Sequence, residues 1–336
     1  MLRSLIGLML LAAPAAASTL DAARARGHLI CGVEGDLPGF SAPDPQGVMR
    51  GFDADFCRAI AAAVFGDAGR LRFLRHASPD EGLDGLVSGR IDLLAGHTPL
   101  TLTRDAGRPI MPGPVLFFDG VGFLVEAGFN RPSSRDLGAM SICWAGPAGS
   151  PTGVAVAGFR QSFALTGPVR RFDQPAQAVA AMQNGGCGAY AADQAQLYTQ
   201  RVTDFERPEA WRVLPEVISQ RPLTPFIRTG DDGWREIVFW TAQLLIQAEQ
   251  TGISQANLVG WVTRPDPTIR RVFGLTPGFG APLRLADDWA ARVIEAVGNY
   301  GDIFERNLGE ASIFDMERGL NAQWTQGGLI YGMPLR

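Results

Sequence analysis

The sequence predicts an α/β protein of two lobes, each a parallel-rich sheet packed by helices. Three observations carry that reading. Short β-type runs alternate with helical patterns along residues 28–104, and the alternation recurs over 140–201. Two extended-looking segments, "FFDGVGFLVEAG" (117–128) and "VLPEVISQRPLTPFIR" (213–228), flank the second block, so the chain can leave one lobe, build another and return. The 336 residues suffice for roughly two domains of about 100–200 residues each.

Residues 1–17 stand apart. Arg3 gives a positive start, "LIGLMLLAA" an apolar centre, and "AAA" at 15–17 a small-residue cleavage site. This is the pattern of a secretory signal peptide cut near Ala17–Ser18. Its apolar run is shorter than the ~20 residues a membrane span needs. No later segment is long and apolar enough to span, so the mature chain is expected to be soluble and exported.

In the first lobe "HLICGV" (28–33) reads as a strand, followed by the Gly/Pro loop "EGDLPGFSAPDPQG". A helix starts at Asp53, with Phe52, Phe56, Ile60 and Val64 at four-residue spacing. "RLRFLRH" (70–76) is a strand. "SPDEGLDGLVSG" (78–89) carries every helix signal: Ser78 as N-cap, Pro79 in first position, Glu81 closing a capping box and Gly89 as the stop. "RIDLLAG" (90–96) is the next strand. The second lobe repeats the scheme with "MSICWAG", a helix at 152–165, "VRRF", "PAQAVAAMQNGG", "CGAYAA" and "QAQLYTQR". A helix at about 234–250 rejoins lobe 1. The last stretch is mostly helical, with an apolar stripe at Trp289, Val293, Ile294, Val297, Ile303 and Phe304. The expected division is a signal peptide at 1–17, lobe 1 at 18–124 and 218–250, lobe 2 at 125–217, and a helical extension at 251–336 packed on lobe 1. Two crossings between lobes make a hinge.

Composition narrows the function. A net charge of −4 gives no basic footprint for nucleic acid. Motifs for a serine-hydrolase elbow, a zinc protease, a P-loop or a dinucleotide fold are absent, and His28, His76 and His97 are scattered, so neither catalysis, metal nor cofactor is expected. Export to an oxidising compartment makes the four cysteines candidates for disulfides. Three pairings are possible, and locality favours Cys31–Cys57 and Cys143–Cys187, one staple per lobe.

In open parallel sheets ligands sit outside the carboxyl ends of the strands. Two such places hold the parts of a zwitterion site. Arg104, behind the hydroxyls of "HTPLTLT", offers a planar two-pronged donor to a carboxylate. Asp193, after "CGAYAA", offers an acceptor for an ammonium group from the other lobe. Read individually, Arg104 could be a surface ion pair and Asp193 a helix N-cap. Their matched positions in two repeated units argue for a shared role. Pro99 fits as the first helical residue after a Thr98 cap, where its missing N–H breaks no helix bond.

At these residues the chain resembles a known family. "GRIDLLAGHTPLTLTRD", "GFDADFCRAI" and the exported two-lobe layout are similar to the periplasmic substrate-binding proteins of polar amino-acid ABC transporters, with the type II, family 3 bilobal fold. "DDWAARVIEAVGNYGDIFERNLG" and "RGLNAQWTQGGLIYGMPLR" resemble the longer branch that serves general L-amino-acid uptake. The resemblance implies that Arg104 clamps the ligand α-carboxylate and that Thr98, with backbone near His97–Thr101, adds donors. It implies that Asp193 holds the α-ammonium, that Asp36, Leu37 and Phe40 wall the side-chain pocket, and that Gly149, Ser150 and Thr152 close over the carboxylate. Phe52 and Asp53 would fix a helix start, and the four cysteines match two disulfides. The implied partners are a small-molecule ligand and two membrane permease subunits, with the receptor a monomer. Pro99 stands where a donor N–H is usual, the lobe-2 loop "AGPAGSPTG" carries two prolines, and Gly82 and Gly96 replace larger polar residues. A divergent sensor or scaffold, or an exported dehydratase using Asp36, Glu81 or Glu34, are the alternatives.

Overall fold

A computed structural model describes residues 18–335, so the expected signal peptide lies outside the described residues. The chain opens with α1 (Thr19–Arg26) and β1 (Leu29–Val33), then a small ribbon of β2 (Ala42–Pro43) and β3 (Met49–Arg50). There follow α2 (Phe52–Phe65), β4 (Leu71–Arg75), α3 (Pro79–Val87), β5 (Leu93–Leu94), α4 (Leu102–Gly107) and β6 (Ile110–Pro112). After β7 (Phe117–Asp119), the second block comprises β8 (Val121–Glu126), β9 (Ile142–Ala145), α5 (Pro151–Ser162), β10 (Val169–Phe172), α6 (Pro175–Gln183), β11 (Ala189–Asp193), α7 (Gln194–Thr203) and β12 (Trp211–Val213). The return runs through β13 (Arg221–Leu223), β14 (Phe226–Arg228) and α8 (Asp232–Gln250). The extension contributes α9 (Leu258–Val262), α10 (Pro267–Val272), α11 (Trp289–Val297) and α12 (Tyr300–Asn307), then an irregular tail with short 3-10 turns.

Each lobe has a five-stranded mixed sheet, in the orders β4-β1-β5-β14-β6 and β10-β9-β11-β8-β12. The parallel strands are those of the sequence repeat. The returning strand β14 is antiparallel to β5 and β6, and β8 and β12 are antiparallel in lobe 2. The hinge is itself a ribbon: β7 pairs antiparallel with β13, with Asp119 opposite Arg221. Strand β8 already belongs to the second sheet, so the first crossing falls at Gly120, four residues ahead of the expected boundary at 124.

Local chemistry explains the elements that position the cleft. Ser78 accepts from the Glu81 N–H and Pro79 opens α3, while the Glu81 carboxylate takes the Ala77 N–H rather than that of Ser78. Gly51, at φ +123, admits α2: a Cβ there would lie 2.2 Å from the Phe40 carbonyl oxygen. The Ala61–Ala63 run of α2 is buried against α11, whose Val293, Ile294 and Val297 share its core. Small side chains on one helix let the larger stripe approach, and each fully buried Val or Ile contributes about 1.5–3 kcal/mol. Cys31–Cys57 ties β1 to α2, and Cys143–Cys187 ties β9 to the start of the β11 segment, one disulfide in each lobe.

The extension does pack on lobe 1, but it also reaches the hinge and lobe 2. The Asn321 side chain accepts from the Phe118 N–H (2.6 Å) and donates to the Phe118 carbonyl (3.1 Å), clasping β7. Arg201 of α7 donates to the Phe314 carbonyl, and Thr199 donates to the Pro38 carbonyl of lobe 1 at 3.0 Å. The apolar stripe of the mostly helical last stretch is divided between α11 and α12, which meet at Gly298 and the Asn299 cap.

Candidate functional site

Strands β1, β4 and β5 run parallel, so Glu34, His76 and the 95–97 segment line one edge of lobe 1. Strands β9 and β11 run parallel too, which sets the Gly149–Thr152 loop and Asp193 along one edge of lobe 2. The hinge ribbon joins the two edges. Asp119 Oδ2 stands 3.4 Å from His97 Nε2 of lobe 1, and Arg221 forms an ion pair with Asp193 of lobe 2.

Asp193 occupies the N-cap position of α7 but makes no cap hydrogen bond. That work falls to Asp119, whose Oδ1 accepts from the Gly120 N–H (2.8 Å) and the Ala195 N–H (3.3 Å). A hinge carboxylate thus caps the lobe-2 helix and leaves Asp193 for other partners. Arg221 takes its Oδ2, while Oδ1 is buried without a hydrogen-bond partner.

Arg104 is half-buried on α4, and its Nη1 donates to the Pro99 carbonyl at 2.9 Å. Desolvation lowers the Arg221 pKa; Asp119 opposes that shift and the nearby Arg104 charge adds to it. The lobe-1 guanidinium of Arg104 and the hinge guanidinium of Arg221 are thus near enough to repel each other.

The expected Thr98 cap is corrected. Helix α4 is capped by Thr101, whose hydroxyl accepts from the Arg104 N–H at 3.4 Å. Pro99 lies before the helix, bridged to Leu223 of β13, and Thr98 is 1% exposed with its hydroxyl donating to the Gly96 carbonyl at 2.9 Å. The hinge strand holds this segment extended, which delays the helix start. Phe40 is also corrected: it is fully buried in the lobe-1 core, its ring edge-on to His97 at 4.8 Å, so it backs the site rather than walling it. Leu37 is half-buried and Asp36 exposed on the same loop. In lobe 2, Ser150 caps α5 by accepting from the Gly153 N–H (3.4 Å), Gly149 supplies φ +78, Pro151 takes the first turn, and Thr152 is half-buried.

His97 has φ +46, which a non-glycine residue adopts only when held. The hold is Asp53, whose Oδ2 accepts the His97 N–H at 3.1 Å. Desolvation pushes the Asp53 carboxyl up to about 7, with the His97 charge opposing and Glu34 adding to the rise. Desolvation also raises Glu34 above the usual carboxylate range, against the opposing charge of His97. Gly82 and Gly96 have a shared cause: the His76 ring fills their space. A Cβ on Gly96 would lie 2.4 Å from His76 Nε2, and one on Gly82 2.9 Å from its Cδ2. Burial lowers the His76 pKa.

A cavity of about 1010 Å³ follows the hinge, bounded by Asp119 and Arg221, by Phe159 of α5 and Phe163 just past its end, and by Leu320 and Leu329 of the tail. Sequence reasoning missed Arg221 and Asp119. The available signal was a pair of opposite charges at the lobe junctions, Asp119 in "FFDG" and Arg221 in "SQRPL".

These features define a two-lobed protein with opposed charged edges meeting at a two-strand hinge. Residues 29–254 match the family of bacterial extracellular solute-binding proteins, family 3. The chain is 41% identical to the general L-amino acid-binding periplasmic protein AapJ of Rhizobium johnstonii, over 97% of this chain and 95% of that one. It is 39% identical to the glutamate/glutamine/aspartate/asparagine-binding protein BztA of Rhodobacter capsulatus, over 97% and 96%. A solved structure of an ABC transporter periplasmic binding protein from Brucella ovis with glutathione bound superposes with a TM-score of 0.82, at 37% identity, covering 95% of this chain and all of that one. The chain belongs to the family 3 solute-binding proteins.

Proposed function

We propose that this protein is an exported receptor that captures an amino acid between its lobes and delivers it to the permease subunits of an ABC importer. In this reading Arg104 clamps the α-carboxylate, Asp193 faces the α-ammonium, and lobe closure about the β7–β13 ribbon encloses the ligand. The observation that carries it is Asp193: Asp119 caps α7 in its place, leaving a lobe-2 carboxylate directed to the hinge, where it pairs with Arg221. The names of the relatives at 39–41% identity support the ligand class. The receptor acts as a monomer, is released into the periplasm by cleavage near Ala17–Ser18, and turns nothing over.

The test is calorimetry and thermal shift of the mature chain with common L-amino acids. Ligand at 100 Kd should stabilise by about 2.7 kcal/mol. Arg104→Ala should lose binding while keeping its melting transition. Retained affinity in that variant, or no stabilisation of the parent by any amino acid, would overturn the reading. Recovery of the ligand unchanged after prolonged incubation checks that no turnover occurs.

A further inference from the structure

The Arg221–Asp193 ion pair has no part in the receptor scheme, yet it occupies that scheme's ammonium acceptor. Arg221 belongs to the hinge ribbon and Asp193 to lobe 2, so the pair ties the hinge to lobe 2. It is not a solvated surface pair: the Arg221 side chain is 27% exposed and that of Asp193 13%. Asp193 Oδ1 is left buried and without a partner beside it. A ligand ammonium arriving at Asp193 must either share the carboxylate with a guanidinium already there or displace it. A neutral substituent faces no such rival, because a hydroxyl can donate to the orphan Oδ1 while the ion pair stays intact.

We propose that Arg221 is a specificity-determining residue that stands in for the ligand's ammonium at Asp193, shifting preference from α-amino acids toward small carboxylates with a 2-hydroxyl in the same place. This rests on the receptor reading, in which Arg104 takes the carboxylate and Asp193 faces the α-substituent. Arg104 supplies the positive charge at the ligand's carboxylate end, while Arg221 already neutralises Asp193. The cleft therefore accepts a monoanion without needing the compensating ammonium.

The experiment is calorimetry of the mature chain with two matched pairs of probes, L-glutamate with L-2-hydroxyglutarate and L-alanine with L-lactate. Arg221→Met should tighten the amino acids by about tenfold or more, while leaving the hydroxy acids within about threefold. Arg221→Lys, which keeps the charge, should keep the parent's ratio. Arg221→Gln retains a hydrogen-bond donor for Asp193 and replaces the methionine variant should that one fail to fold. Amino-acid affinity that is unchanged or weaker in the folded neutral variants overturns the proposal. Asp193→Asn separates this failure from that of the receptor reading. If it weakens amino-acid binding and the neutral Arg221 variants do not strengthen it, only the present proposal falls. If it changes nothing, or if no variant binds any probe, both fall.

Discussion

Replacing Asp53 by Asn should remove a defined part of the protein's pH dependence. The Asp53 carboxyl sits at about 7 in the folded chain because it is desolvated next to Glu34, with His97 only partly offsetting this. In the unfolded chain it returns to about 3.9. The folded state therefore binds the proton more tightly. The stability this contributes is complete below the unfolded value and is lost as pH rises through about 7. Between about pH 5 and pH 8.5 only the stretch up to about 7 counts, roughly two pH units at about 1.4 kcal/mol each, or about 3 kcal/mol. Asn keeps an oxygen for the His97 N–H, so the left-handed turn survives while the titration disappears. Urea unfolding of parent and variant at the two pH values measures the difference. Glu34, whose charge helps to raise Asp53, loses that repulsion in the variant, so its share of the slope shrinks with it; Asp92, raised by burial, tilts stability the same way in both proteins and cancels on subtraction. His76, lowered by burial, acts at the acid end and cancels likewise. Equal pH slopes in parent and Asp53→Asn would refute the assignment of that proton.

Gly96→Ala should destabilise by about 1–3 kcal/mol through overlap with His76 Nε2, and His76→Ala should restore the melting temperature in the double variant. Asn321→Ala should cost about 1–3 kcal/mol in urea unfolding, since both Phe118 backbone groups lose their partner. Exchanging Cys143 and Cys187 for serine should cost about 2–5 kcal/mol, and peptide mapping without reductant should find both links within their own lobes.

What the sequence disclosed was whatever its own neighbours decide. Helix α3 is set by Ser78, Pro79 and a glycine stop within a dozen residues, and β10 is the run "VRRF" itself. The start of α4 was misplaced because Leu223, far along the chain, bridges Pro99 and draws the segment straight. The Glu81 carboxylate accepts from the Ala77 N–H, one residue ahead of the Ser78 that the capping-box spacing names. Arg104 and Asp193 stand out as candidates in the sequence because each follows a strand end in a repeated unit. Arg221 and Asp119 do not, because their meaning comes from the cross-strand pairing of two crossings about a hundred residues apart, which no local pattern encodes. The glycines at 82 and 96 make sense only in three dimensions, where the ring of His76 lies against both.

The interleaved topology also fixes an order of assembly. The second sheet is drawn from one continuous segment and is complete once Val213 has emerged, with its Cys143–Cys187 link inside it. The first sheet must wait for β14 to cover the flank of β5, and its core waits longer for α11 and α12, which end at Asn307. The portion synthesised first is thus finished last. During that interval the open flank of β5 and the apolar face of α2 are bare, so this chain's vulnerability to aggregation and proteolysis is concentrated in its earliest residues, before the final helices arrive.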